Sequence, residues 1–192
     1  SQANNVTTGR IYQTVINNER KGVYLGKTVQ VVPHITDEIK KNISKLGETG
    51  DYDIVITELG GTVGDIESLP FVEAVRQFIW EKPNTDCIVI HLTLVPYLAA
   101  AGELKTKPTQ HTVKELRGLG ISPDVLVCRA EEPLAQETRE KLAAFCHVSP
   151  NAVMSAHDVS NIYRVPLLLR DQGICETHCF ARHLTVPQFR QP

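Results

Sequence analysis

The chain has 192 residues, 42% of them hydrophobic, enough to build a packed core and to exclude a disordered segment. Lys and Arg number 20 against 22 Asp and Glu, a formal net charge of -2. That balance excludes an overall basic field for nucleic acid or an anionic membrane surface, so any anion site must be local. The five cysteines are odd in number and scattered, with Cys87, Cys128 and Cys146 inside apolar runs, which suits a reducing, cytoplasmic setting better than a disulfide framework. The run "CIVIHLTLVPYLAAA" is shorter than the roughly 18 to 20 residues of a membrane span, and the N-terminus has no charged-then-apolar leader pattern.

In chain order, "TTGRIYQTVINNERKG" predicts a helix capped by Thr7 or Thr8 and ended by Gly22. "KTVQVVPH" reads as a strand halted by Pro33. "TDEIKKNISKLG" predicts an amphipathic helix with Thr36 as cap, acids in its first turn, lysines later and Gly47 closing it. "YDIVITELGG" reads as a compact apolar strand. "SLPFVEAVRQFIW" predicts a helix with Ser68 as cap, Pro70 in the first turn and Leu69, Val72, Val75 and Ile79 at helical spacing. "CIVIHLTLV" is a strand, "KPTQHTVKELRGLG" a helix opened by Pro108, "DVLVCRA" a strand, "QETREKLAAFC" a helix, "AVMSA" a short strand and "IYRVPLLLRDQG" a last helix. "RHLTVPQFRQP" follows as an extended tail. Helices alternating with continuous apolar strands predict an α/β, Rossmann-like parallel sheet with helices on both faces. In such a sheet ligands collect at the carboxyl ends of the strands.

Two loops are then expected at that edge. "ELGGTVGDIES" places Glu58 after a strand, Gly60, Gly61 and Gly64 in a turn, and Asp65 and Glu67 before a helix. Carboxylates so placed suit magnesium, held by one or two of them plus substrate phosphates, or form a solvated acidic turn at a helix N-terminus. "GELKTKPTQH" sets Lys105 and Lys107 before a helix whose first turn, with Pro108, Thr109 and Gln110, has free N–H groups. That arrangement suits a phosphate, or two lysines in water on a surface loop. Acids for a metal beside bases for a polyphosphate would make a phosphoryl-transfer site, although no GxxxxGK[ST] cradle occurs in these 192 residues. His34 and Arg129, each ending a predicted strand, are weaker candidates. Cys175, His178, Cys179 and His183 raise zinc, against the usual pairing of ligands from two separated segments. No cysteine has a basic activating partner.

"TTGRIY", "YLGKTVQVVPHIT", "ELGGTVGDIESLPFVEAVRQ", "GELKTKPTQHTVKELRGLGISPD" and "VSNIYRVPLLL" closely resemble the amidoligase (synthetase) domain of the CTP synthase family, in order from about Asn5 to Gly173. The resemblance implies a P-loop NTPase-type fold over residues 1–192, N-terminally incomplete because the family's Gly-rich loop and a second magnesium-binding aspartate lie upstream. It implies an ATP- and magnesium-dependent ligase that phosphorylates the 4-oxygen of UTP and displaces that phosphate with ammonia. In the family the ammonia comes from glutamine in a separate glutaminase domain stimulated by GTP, CTP inhibits, and the enzyme is a homotetramer able to stack into filaments.

Carried over by motif, Glu58 looks like a magnesium ligand, and Gly60 and Gly61 like part of the loop beside the nucleotides. Asp65, Glu67, Lys105, Thr106, Lys107, Gln110 and Lys141 resemble contacts to UTP or CTP. Gln30 and His34 look like active-site residues near the substrates, with His34 facing the UTP base or the transferred group and Lys107 the developing charge. Arg129, Asp158 and Val159 resemble the adenine pocket. A noncatalytic nucleotide-binding or oligomerisation fragment is the competing expectation.

Overall fold

The computed structural model describes residues 4–83 and 86–177. These fall into two compact units that divide between Glu81 and Lys82. The C-terminal tail, with His178, Cys179 and His183 of the zinc reading, lies outside the described residues.

The first unit is helical. Helix α1 (Thr8–Arg20) begins as its sequence dictates: Thr7 is extended, its hydroxyl accepts from the Arg10 N–H at 3.3 Å, and Gly22 ends the helix region at φ 75°. Helix α2 (Thr36–Ser44) carries Asp37 and Glu38 in its first turn and Lys41 in its last. Thr36 is inside this helix rather than its cap; its hydroxyl donates back to the Pro33 carbonyl at 3.0 Å. Helix α3 (Leu69–Glu81) buries Val72 and Ala74, while Leu69 is exposed. Ile11, Val15, Ile35, Ile39 and Ala74 form the core of this unit. Lys40 of α2 bridges Asp37 at 3.0 Å and Glu81 of α3 at 2.6 Å.

Both strands predicted in this unit are absent. Residues 27–30 have no regular structure, and Val31–Ile35 make a wide turn in which Val32 stays extended and the Val32–Pro33 peptide is cis. Residues 54–60 run without a ladder, leaving Ile54 56% and Ile56 91% exposed. A strand needs a neighbour to take its N–H and C=O groups, and no described segment of this unit pairs with either stretch.

The second unit holds the sheet. Strands β1 (Ile90–Leu94), β4 (Val125–Arg129) and β5 (Val153–Ala156) are parallel in the order β1-β4-β5, with Leu92 opposite Val127 and Val127 opposite Met154. A two-stranded antiparallel hairpin, β2 (Tyr97–Leu98) and β3 (Glu103–Leu104), is inserted after β1, its turn closed by Gly102 at φ 63°. Helix α4 (Lys107–Gly118) returns the chain from the hairpin to β4, and α5 (Gln136–Cys146) links β4 to β5. One sheet face packs Leu126, Cys128 and Val153 against Val113, Leu142 and Cys146 of these two helices. Complete burial of Leu126 and Leu142 is worth about 1.5–3 kcal/mol each. The other face packs Val125, Val127 and Met154 against Leu169 of helix α6 (Val165–Asp171) and Ile174 beyond it.

The expected mixed α/β architecture, a parallel sheet flanked by helices, is therefore present. β1 departs from the expected two-sided burial: His91 and Thr93 point inward, and Ile90, Leu92 and Leu94 are exposed. At the opposite edge, the Gln172 side chain behaves as a surrogate peptide. Its Oε1 accepts from the Ser155 N–H at 2.8 Å and its Nε2 donates to the Ser155 carbonyl at 2.9 Å, closing the ladder groups of β5.

Candidate functional site

In the first unit the acidic loop is a succession of tight turns. The Asp65 N–H donates to the Thr62 carbonyl at 3.1 Å and the Ser68 N–H to the Asp65 carbonyl at 3.0 Å, delivering the chain into α3. Ser68 uses its hydroxyl on the Asp65 carbonyl at 2.8 Å and the Thr62 carbonyl at 3.3 Å, so it ties the loop rather than capping the helix. Gly61 and Gly64 take φ of 96° and 100°, which side chains avoid.

The result is an open cleft of about 1030 Å³ whose lining gathers Glu58, Gly60, Gly61, Asp65 and Glu67. Five of the sequence-derived positions thus share one cavity. Among the described residues no three His, Cys, Asp or Glu converge as a ready-made metal cage. The oxygen donors of the cleft still suit a hard cation that takes one or two carboxylates and completes its shell with water and phosphate.

Gln30 and His34 do not line that cleft. The Gln30 N–H donates to His34 Nδ1 at 3.1 Å, and the Tyr24 ring meets the imidazole edge to face, centroids 4.7 Å apart.

In the second unit Lys105, Thr106, Lys107 and Gln110 lie between the hairpin and the first turn of α4. The Lys105 N–H donates to the Pro96 carbonyl at 2.9 Å, fixing the loop across the end of β1. The Lys105 ammonium is not free: it forms an ion pair with Glu103, a residue the sequence reading passed over although it stands two positions away. Lys105, and more weakly the charge of Lys141, hold the Glu103 carboxyl below the usual glutamate range. Lys107 is exposed at the start of α4. Thr106 accepts from Gln110 Nε2 at 3.0 Å and makes no side-chain bond to the helix N-terminus. Below this loop Thr109 is fully buried, its hydroxyl donating to the Leu94 carbonyl at 2.9 Å and lying 3.1 Å from Thr93 Oγ1.

Arg129 and Asp158 also come together. Arg129 ends β4, its Nη1 donates to the Ala130 carbonyl, and its Nη2 bonds Asp158 Oδ1 at 2.5 Å. Val159 follows, half-buried. Ser155 supports this end of the sheet, its hydroxyl accepting from the Leu134 N–H at 3.1 Å. The lysine loop, Arg129 and Asp158 all lie at the carboxyl end of this unit's parallel strands.

The acidic residues thus belong to the first unit and the basic loop to the second, and the strand expected to deliver Glu58 to the sheet is not formed. The described cysteines are free thiols; burial pushes Cys146 up to about 11 and raises Cys128 as well, so neither is activated. Among the described residues no helix is long and apolar enough to cross a membrane.

Comparison with known proteins agrees with the motifs. A family model described as CTP synthase N-terminus matches residues 1–185. The CTP synthase of Cytophaga hutchinsonii is 67% identical over 176 residues, covering 92% of this chain and 33% of that protein. That of Flavobacterium johnsoniae is 66% identical over 174 residues, 91% of this chain and 32% of the relative, and that of Salinibacter ruber 61% identical over 176 residues, 92% and 31%. The chain spans about one third of the length of the curated relatives it matches. With motifs, sheet and family model in agreement, the chain belongs to the CTP synthase N-terminus family, whose domain has a P-loop-like fold.

Proposed function

We propose that this chain is the nucleotide-binding part of a CTP synthase, a ligase that aminates UTP to CTP at the expense of ATP. The observation that carries the reading is the basic loop: Lys105, paired with Glu103, stands beside the exposed Lys107 at the strand ends where an α/β sheet binds ligands. A triphosphate is the anion that such a cluster suits, and Thr106 and Gln110 supply polar groups to orient it. Asp65 and Glu67 are assigned to a pyrimidine nucleotide, Lys107 to neutralising triphosphate charge, and Gln30 to the substrates.

The chemistry follows from the leaving group. The 4-oxygen of UTP attacks the γ-phosphorus of ATP as N3 gives up its proton, the bond to the β,γ-bridging oxygen breaks and ADP departs. Ammonia then adds to C4, loses a proton, and inorganic phosphate leaves with the former 4-oxygen. Arg129, Asp158 and Val159 hold the adenine end of ATP, and Gly60 and Gly61 let the backbone approach the nucleotides. Glu58 is the magnesium ligand of this chain; bound there, the ion would draw charge from the phosphate oxygens. Ammonia from a glutaminase domain, GTP activation, inhibition by CTP, tetramers, filaments and a cytoplasmic setting complete the reading.

The 192 residues contain no GxxxxGK[ST] cradle, which favours a second reading of the chain by itself: a module that binds pyrimidine nucleotide without catalysis. Calorimetric titration with UTP and CTP tests the site. Lys105→Ala and Lys107→Ala are each expected to weaken binding about tenfold, as removal of a charged hydrogen-bond donor does, and to reduce its dependence on salt. Unchanged affinity and salt dependence in both variants would refute the assignment. CTP formation by the 192 residues alone would overturn the second reading.

A further inference from the structure

We propose that His34 is held as the tautomer carrying its proton on Nε2, and that it meets its ligand as a hydrogen-bond donor. The turn around Pro33 brings the imidazole back over residue 30, where Nδ1 accepts the Gln30 N–H at 3.1 Å. A ring nitrogen that accepts an N–H has spent its lone pair, so the single proton of the neutral imidazole sits on the other nitrogen. Gln30 is extended there, at φ -132° and ψ 163°. The Tyr24 ring, edge to face at 74°, fixes the plane in which the imidazole lies.

Nε2 has no protein partner among the described residues, and no buried side-chain nitrogen or oxygen among them lacks one, so this N–H opens to solvent. One donor in a fixed direction selects an acceptor. A ligand that presents an oxo or phosphoryl oxygen at that point is bound; one that presents an amino group there sets donor against donor and is refused. Resting on the reading that His34 meets the pyrimidine, this makes it a specificity residue that prefers the 4-oxo group of the substrate to the 4-amino group of the product.

Nitrogen-15 side-chain spectra of the labelled chain read the tautomer directly. Expected are a protonated Nε2, an unprotonated Nδ1 and a scalar coupling between Gln30 N and His34 Nδ1 across the hydrogen bond. A proton on Nδ1, or exchange averaging of the two nitrogens, would overturn the tautomer. His34→Asn keeps an acceptor at the δ position and removes the ε donor, whereas His34→Phe removes both. The Gln30 amide should exchange at the native rate in the first and several-fold faster in the second; equal rates in the two variants count against the bond. Titration with UTP should move the Nε2 signal and leave Nδ1 in place. If UTP moves neither while the tautomer is as stated, the placement of His34 at the substrate fails and the tautomer stands. If CTP moves Nε2 as strongly as UTP does, the selectivity for the oxo group fails.

Discussion

Replacing Thr109 by valine tests whether the lysine loop is positioned from the layer beneath it. Thr109 is 0% exposed in the first turn of α4, and its hydroxyl ties that turn to the end of β1 through the Leu94 carbonyl at 2.9 Å. Valine keeps the branched shape but turns a methyl group toward that carbonyl and toward the Thr93 hydroxyl 3.1 Å away. Losing the bond and leaving its partners facing carbon costs about 2 kcal/mol. With a urea slope of about 2 kcal/mol per M, the unfolding midpoint followed by circular dichroism should fall by about 1 M. Thr109→Ser keeps the hydroxyl and loses only a methyl group, so it should cost about 1 kcal/mol and leave UTP affinity near that of the native chain. Thr109→Val should weaken UTP binding as well, because Thr106, Lys107 and Pro108 lead directly into it. A valine variant with native midpoint would refute the energetic argument. One that is destabilised yet binds UTP as the native chain does would refute the positioning of the loop.

Two further outcomes follow from groups away from that loop. The Arg76 guanidinium beside Glu73 holds its carboxyl at about 2, against an ordinary value of 4.5. The pair therefore stabilises the folded chain fully above pH 4.5 and loses that contribution as pH falls toward 2. Because both side chains are about one third exposed or more, solvent screens the pair and keeps that contribution small. A carbon-13 titration should place Glu73 below the ordinary value of 4.5 and Arg76→Ala should raise it; a native midpoint at or above 4.5 would contradict the geometry. Gln172→Leu removes both bonds to the Ser155 peptide and should destabilise the chain by about 2–3 kcal/mol, with faster amide exchange at Ser155. Native protection of that amide would show that the edge of β5 does not depend on the side chain.

The elements legible in the sequence were those written in local signals. Thr7 and Gly22 bracket α1, Pro108 opens α4, and the compact runs at β4 and β5 are buried strands as their composition demands. "KTVQVVPH" and "YDIVITELGG" have the same apolar character, yet neither is a strand. Strand character depends on a partner often distant in sequence, and no run of residues announces whether that partner pairs with it. "CIVIHLTLV" hides a second ambiguity: its apolar residues are so dense that it reads as buried on both faces, whereas His91 and Thr93 take the inner face because Thr112 and Thr109 of α4 answer their polar atoms. The hairpin before α4 was signalled only by Gly102, since "YL" and "EL" are too short to carry a period.

The candidate site shows the same division between residue type and pairing, and it yields a prediction. The sequence announces two ammonium groups before a helix; what it does not announce is that Glu103 occupies one of them. Binding a triphosphate there is then an exchange: the Lys105 ammonium must leave a carboxylate of one charge for a phosphate chain of several. Glu103 also repels the incoming anion until Lys105 and Lys141 are shared. Glu103→Gln should therefore strengthen UTP and CTP binding, by about two- to fivefold given how strongly solvent screens an exposed pair. The gain should shrink as salt is added, because the repulsion it removes is screened in the same way. Weaker binding by Glu103→Gln at low salt would mean that the carboxylate orients Lys105 for the ligand instead of competing with it, and the exchange argument would fall.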